Sequence, residues 1–205
     1  MKTGSAHAAY DEASHLPDYR PRLPFATLKA TGRPVFRSQK ARDYACLLDL
    51  DPDVISWQSF THPLTDIGDC RDRHYVDLEV RTVTQSIMVE VCTGDAEAPN
   101  WLCSTLEECG FRYQMVRFSE LNPVRVANAR DLIRYAKREA TLGDRLRVLA
   151  ALEEMGTLTL AECLTAVREG RAMETIASLI LRGHVEVDLD NNLLAPDTIV
   201  RRCAK

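Results

Sequence analysis

Two acidic residues of this chain stand where a divalent cation is readily held. Asp77 lies in Tyr75-Val-Asp-Leu-Glu-Val80, and Glu90 lies in Ser86-Ile-Met-Val-Glu-Val-Cys92. These are two apolar, β-branched runs split by the polar residues 81–85, a pattern that predicts a β-hairpin. Paired strands would bring the two carboxylates together at one end of a sheet, where oxygen donors can share a Mg²⁺ or Mn²⁺ ion. Glu79, two residues beyond Asp77 on the same strand face, is a further oxygen within reach. His62 and His74 flank the stretch, either as ligands for a metal or phosphate or as plain loop residues.

The surrounding elements must position that pair. Ser38 predicts the cap of a helix over about 39–49, with Tyr44, Leu47, Leu48 and Ala41 on one side. Asp51-Pro-Asp53 ends it, because a residue before proline avoids helical geometry. Val54 to Leu64 reads as extended, with Trp57 and Phe60 assigned to the core together with Trp101 and Phe111. A helix over about 98–109 stops at Gly110, and residues 111–117 alternate as a strand does. A further helix is expected from about Asn128 to about residue 139. Helix, strands, helix, strand and helix in that order make a mixed α/β core.

From Leu142 the texture changes. Leu146, Leu149, Leu152 and Met155 mark one helix stopped by Gly156, and Thr159-Leu-Ala-Glu162 is a capping box opening a second. A third spans about Ala172–Leu181, with Met173, Ile176 and Ile180 on one side. Val185, Val187 and Leu189 then alternate, and the chain turns back to Leu193-Leu194. Three short helices and a hairpin follow the winged-helix plan. The expected organisation is an N-terminal arm over 1–35, a core over 36–141 and a winged-helix domain over 142–205. The arm holds Pro17, Pro21, Pro24 and Pro34; its Arg20, Arg22, Lys29 and Arg33 are either phosphate contacts or parts of a solvated tail.

Composition narrows the function classes. The 205 residues are 45% hydrophobic and 27% charged, with a net charge of −4. That balance argues against coating nucleic acid through bulk charge, while leaving room for a local basic face. Seven cysteines without a paired CxxC framework read as free thiols in a reducing compartment. No run is long and apolar enough to cross a bilayer, and the N-terminus lacks a secretion-signal core, so a cytoplasmic location is expected. No Gly-rich phosphate loop is present, which leaves nucleotide hydrolysis unsupported.

Arg130, Arg134, Lys137 and Arg138 recur at helical spacing, with Arg125 just ahead, and predict a basic stripe for phosphate contact. Asp131 and Glu139 dilute its charge, so a solvated face is the alternative. In the third helix of the winged-helix region, Arg171, Thr175, Ser178 and Arg182 are the candidates for reading DNA. Glu186, Asp188 and Asp190 in the following hairpin would repel phosphates, which leaves protein contact equally open.

In this order the pieces resemble the TnsA-type transposon endonucleases, members of the PD-(D/E)XK nuclease fold, over about residues 34–200. Ser38-Gln-Lys-Ala-Arg-Asp-Tyr-Ala-Cys-Leu-Leu-Asp-Leu-Asp-Pro-Asp-Val54 is similar to the family's serine-capped helix and its Asp-Pro-x-Val ending. His62-Pro63 falls where the family tends to have Gln-Pro. Val76-Asp77-Leu78 matches its Pro-Asp-Phe step, and Glu90-Val-Cys92 its Glu/Gln-Val-Lys step. Gly110-Phe-Arg-Tyr and Asn128-x-x-x-Leu132 are also similar. The resemblance implies an α/β fold with a restriction-endonuclease-like core and a C-terminal winged-helix domain.

The departures fall on the positions that carry the chemistry. Where the family has its helix glutamate this chain has Ala41, and where it has its lysine this chain has Cys92. Asp77 and Glu90 are what remains of the metal and catalytic set. Losing one electrostatic donor of that kind costs on the order of a hundred- to a thousand-fold in rate. A thiol between two carboxylates would also stay protonated, which disfavours a cysteine nucleophile. The resemblance thus implies a pseudonuclease needing no cofactor: a DNA-binding, structural or regulatory part of a DNA-processing or recombination assembly. Double-stranded DNA, a transposase or other DNA-processing protein, and a second copy of the chain are its expected partners; no membrane is. The alternatives are an active Mg²⁺- or Mn²⁺-dependent endonuclease with a rearranged site, and a protein–protein adaptor without DNA affinity.

Overall fold

Ser38 opens the first helix as its position predicts: its Oγ accepts the N–H of Ala41 at 3.0 Å. Helix α1 (Gln39–Leu50) runs from there to a cap at Asp51. The structure, a computed structural model, describes residues 26–66, 72–94 and 97–203. The chain is α/β and divides into two compact units. The first comprises residues 29–121; the second comprises 122–203 together with 26–28. The expectation for Arg20 and Arg22, and for the arm up to residue 25, lies outside the described residues. From Lys29 the chain is part of the first unit: the Lys29 N–H bonds Asp49, and Ala30 bridges Trp57.

In the first unit α1 is followed by β1 (Val54–Ser59), β2 (Leu64–Thr65), β3 (Arg73–His74), β4 (Leu78–Thr82) and β5 (Ser86–Cys92). Helix α2 (Asn100–Glu108) and β6 (Phe111–Arg117) complete it. The main sheet has the order β1-β4-β5-β6. Pairs β1/β4 and β4/β5 are antiparallel, while β5/β6 is parallel and so needs a crossover, which α2 supplies. β5 is buried on both faces, through Ile87, Met88, Val89, Val91 and Cys92. Leu102 and Leu106 of α2 pack with Val76 and Met88.

The hairpin forms with one change of bounds. β4 begins at Leu78, not Tyr75, and continues to Thr82, because the turn is closed there. Thr82 Oγ1 accepts the N–H of Gln85 at 3.2 Å, and the Thr82 N–H reaches the Gln85 carbonyl at 2.9 Å.

The second unit holds α3 (Pro123–Ile133), α4 (Leu142–Met155), β7 (Thr157–Thr159) and α5 (Leu160–Ala166). Helix α6 (Ala172–Leu181), β8 (Val185–Val187) and β9 (Ile199–Arg202) follow, and the three strands form an antiparallel sheet of order β7-β9-β8. Val148, Leu152, Leu160, Cys163, Ile176, Leu179, Val185 and Val200 make its core. The capping box at Thr159 and Glu162 forms as predicted.

Three expectations need correction here. The boundary expected at 141/142 falls at 121/122. The helix expected from Asn128 to 139 starts at Pro123 instead and stops at Ile133, because Asn122 accepts the N–H groups of Val124 and Arg125 and Pro123 suits the first helical turn. The buried side of α4 is Asp144, Val148 and Leu152, while Leu146 and Met155 are 58% and 66% exposed. A carboxylate belongs to the inward face, which hydrophobic spacing cannot reveal.

Two buried polar residues hold this unit together. Asn128 is in mid-helix and 1% exposed. Its Nδ2 donates to the carbonyls of Leu189 and Asn192 at 3.0 and 2.9 Å, and its Oδ1 accepts the Leu194 N–H at 2.9 Å. Those bonds fix the connection between β8 and β9, and the returning strand is 199–202 instead of the expected Leu193-Leu194. Asn128→Ala should cost about 2–3 kcal/mol, since it strands three partners that water cannot fully reach. Urea denaturation followed by circular dichroism measures this; a loss below about 0.5 kcal/mol would show the clamp to be dispensable.

Asp144 is fully buried and is the centre of a second network. Its oxygens accept the backbone N–H groups of Arg168 (2.8 Å), Glu169 (3.2 Å) and Gly170 (2.7 Å), and the guanidinium of Arg147 (2.8 Å). Burial alone would raise its pKa; these donors outweigh it and hold the carboxyl well below the usual carboxylate range.

Candidate functional site

β4 and β5 bring Asp77 and Glu90 to the same sheet end, as the hairpin pattern predicts. Their last paired residues are Leu78 and Val89, so one further step sets Asp77 opposite Glu90. The backbone holds Asp77 on both sides: its N–H bonds the Val89 carbonyl, and its carbonyl accepts the Phe60 N–H.

Both carboxylates already have side-chain partners. Asp77 is 4% exposed and is gripped by Arg37 in a two-point fork. Arg37 Nε donates to Oδ1 at 2.9 Å and Nη2 to Oδ2 at 3.0 Å, while the Val91 N–H takes Oδ2 at 2.8 Å. Glu90 Oε2 accepts the Tyr113 hydroxyl at 2.7 Å and pairs with His74 Nε2 at 2.6 Å. Burial would raise the Glu90 pKa, but the bonds from His74 and Tyr113 and the nearby Arg37 charge turn it below the usual value. The Tyr113 hydroxyl moves the other way: burial and the bond to Glu90 raise its pKa well above that of a free phenol.

Ala41 and Cys92 bring no charge, and the charged side chains of Glu79, Asp43 and Lys40 are engaged elsewhere. Ala41 is fully buried in α1. Cys92 is buried, and its thiol donates to the Val116 carbonyl at 3.6 Å. Glu79 is engaged by Gln58 Nε2, and Asp43 by Gln39 Nε2. Lys40 lies over the Phe118 ring, 5.5 Å from its centroid. Among the described residues no group of three His, Cys, Asp or Glu side chains is gathered as a metal cage. The donor set as it stands does not fit a catalytic Mg²⁺ or Mn²⁺, because a guanidinium spans both oxygens of Asp77 and one oxygen of Glu90 is already bonded to Tyr113 and His74.

Arg37, Tyr113 and the pairing of His74 are the parts that sequence reasoning misses. Arg37 directly precedes the helix cap, which is a signal of its place at the start of α1 but not of its reach to residue 77. His74, expected as a ligand for a metal or phosphate or as a plain loop residue, instead pairs with Glu90.

The residues expected to touch DNA sit differently from the pattern that suggested them. Arg130 is on α3, whereas Arg134 and Lys137 lie in the turns after it and Arg138 follows them; all four are exposed. Arg125 pairs with Asp190 at 2.9 Å and Arg134 with Asp131 at 2.6 Å. Arg138 and Arg171 both pair with Glu174, and Arg182 pairs with Glu139. The stripe is therefore laced with carboxylates of its own unit.

Thr175 and Ser178 are corrected outright: they are 2% and 1% exposed. Segment 134–140 runs along α6 as a strap, and the Ala140 N–H bonds Ser178 Oγ at 3.3 Å. On the same side Thr175 Oγ1 packs so closely against Gly170 that an added Cβ there would meet it at 2.7 Å. Thr175 and Ser178 are thus closed off from a partner's surface, while Arg171 and Arg182 remain exposed.

No protein-family model and no curated protein matches the chain. No described helix is long and apolar enough to cross a membrane.

Proposed function

We propose that this protein is a non-cleaving relative of the TnsA-type endonucleases, serving as a structural or regulatory subunit of a DNA-processing assembly. The observation that carries the reading is the Arg37–Asp77 fork. A fixed guanidinium provides the positive charge that the paired acids require, so the carboxylates are satisfied without an ion. The order α1, β1, β4, β5, α2, β6, with Asp77 facing Glu90 at a sheet end, supports a PD-(D/E)XK-like core. The order α4, β7, α5, α6, β8, β9 supports a winged-helix-like second unit. In this reading duplex contact falls to the exposed side chains of Arg130, Arg134, Lys137 and Arg138.

Supercoiled plasmid incubated with the protein and Mn²⁺ provides the test. The expected result is no nicking above that of Asp77→Ala. Mn²⁺-dependent nicking that disappears in Asp77→Ala would instead identify a working enzyme with a rearranged site. Restoring Ala41→Glu and Cys92→Lys must be combined with Arg37→Ala, because Arg37 otherwise spans both oxygens of Asp77.

A second reading, a protein adaptor without DNA affinity, is favoured by the closed polar face of α6 and by the acidic hairpin beyond it. A gel shift on random duplexes at low salt separates the two. No shift, unchanged on replacing Arg130, Arg134 and Lys137 with alanine, selects the adaptor.

A further inference from the structure

The outward side of the β8–β9 sheet carries a groove of about 820 Å³, walled on its far side by the 192–198 connection. Its surface combines features that a solvated sheet face normally avoids together. Leu193 and Ile199 are 59% and 45% exposed. Around them stand the carboxylates of Glu186, Asp188 and Asp197, opposed by a single lining cation, Arg201. Asp188 is committed to the turn, where it accepts the N–H groups of Asp190 and Asn191 and the Asn191 amide. Glu186 and Asp197 form no ion pair among the described residues, and Glu186 faces Arg201 across the ladder without closing to one. β8 is moreover the edge strand of its sheet, so an extended chain laid beside it can find backbone partners.

We propose that this groove docks an extended, lysine- or arginine-bearing segment of a partner protein, its apolar residues on Leu193 and Ile199 and its cations on Glu186 and Asp197. Charge complementarity selects the occupant: a duplex would meet three carboxylates, and an acidic segment would be repelled. Exposed apolar surface supplies area, and the flanking charges supply direction and choice of partner. The inference rests on the second unit alone and is independent of the Arg37–Asp77 site.

The test uses the full chain and a fluorescent peptide, Lys-Leu-Lys-Ile-Lys-Leu-Lys, read by anisotropy at two salt concentrations. Binding that weakens with salt is expected, with no binding of the Glu-for-Lys counterpart. Glu186→Lys with Asp197→Lys should weaken binding about tenfold or more, and Arg201→Glu should tighten it. Thermal melts of each variant establish that it folds. Equal binding by the acidic peptide, or indifference to the double charge reversal in a folded variant, overturns the proposal. So does sedimentation showing a dimer of the wild type that this variant loses, since the occupant would then be a second copy.

Discussion

Replacing Asp144 with alanine is expected to cost the second unit about 3–5 kcal/mol. The carboxylate accepts from three successive backbone amides and one guanidinium, and its removal leaves those donors with few other acceptors. Each buried N–H without a partner costs about 1–3 kcal/mol. Asp144→Asn should recover part of the loss, because its oxygen can still accept while its amide meets like-facing donors. The contribution also has a defined pH window. Its folded pKa lies below the unfolded value of about 3.9, so the stabilisation is complete above that value and is lost as pH falls toward the folded pKa. The gap in urea midpoint between wild type and Asp144→Ala should be constant from neutral pH to about pH 5 and should close in acid. A gap that widens in acid, or a loss under about 1 kcal/mol, would rule the network out as the main fastening of the 168–170 loop.

Arg37→Ala has a comparable expected effect in the first unit, about 3 kcal/mol, because it strands a carboxylate whose side chain is 2% exposed. Adding Asp77→Asn should restore much of that loss, giving a coupling energy well above the few tenths expected of independent sites. Arg37→Lys should fall between, since a point charge cannot reproduce a two-point fork. The same variant separates a structural ion pair from a suppressed metal site. Mn²⁺ should raise the melting temperature of Arg37→Ala, leave wild type unchanged, and leave Arg37→Ala with Asp77→Asn unchanged. A Mn²⁺-induced rise in wild type equal to that of Arg37→Ala would sink the view that the guanidinium stands in for an ion.

What the sequence discloses follows from how far apart the interacting residues are. Ser38 caps α1 through an amide three residues away, and Thr159 and Glu162 reciprocate over the same distance. Such local chemistry is readable in a short window. The hairpin is readable too, because strand alternation and a polar turn lie within about eighteen residues. Arg37 meets Asp77 forty residues on, and Asn128 meets the 189–194 connection some sixty residues on. No window contains both partners, and neither residue disturbs its local pattern. Asp144 is harder still: its position on α4 reads as solvent-facing by polarity, and only the fold of residues 168–170 makes it an inward one. The start of α3 differs from the expected opening near Asn128, because Asn122 is the residue whose side chain caps the helix.

The strap over α6 also limits what this unit can become. A helix that reads a surface can alter its outward residues cheaply, and new preferences arise by single changes. Here residues 175 and 178 are enclosed, and even one added methylene would have to displace packed neighbours. Drift at that face is restricted to small hydroxyl-bearing or similar side chains, so diversification must come from the exposed rim of 186–201 instead.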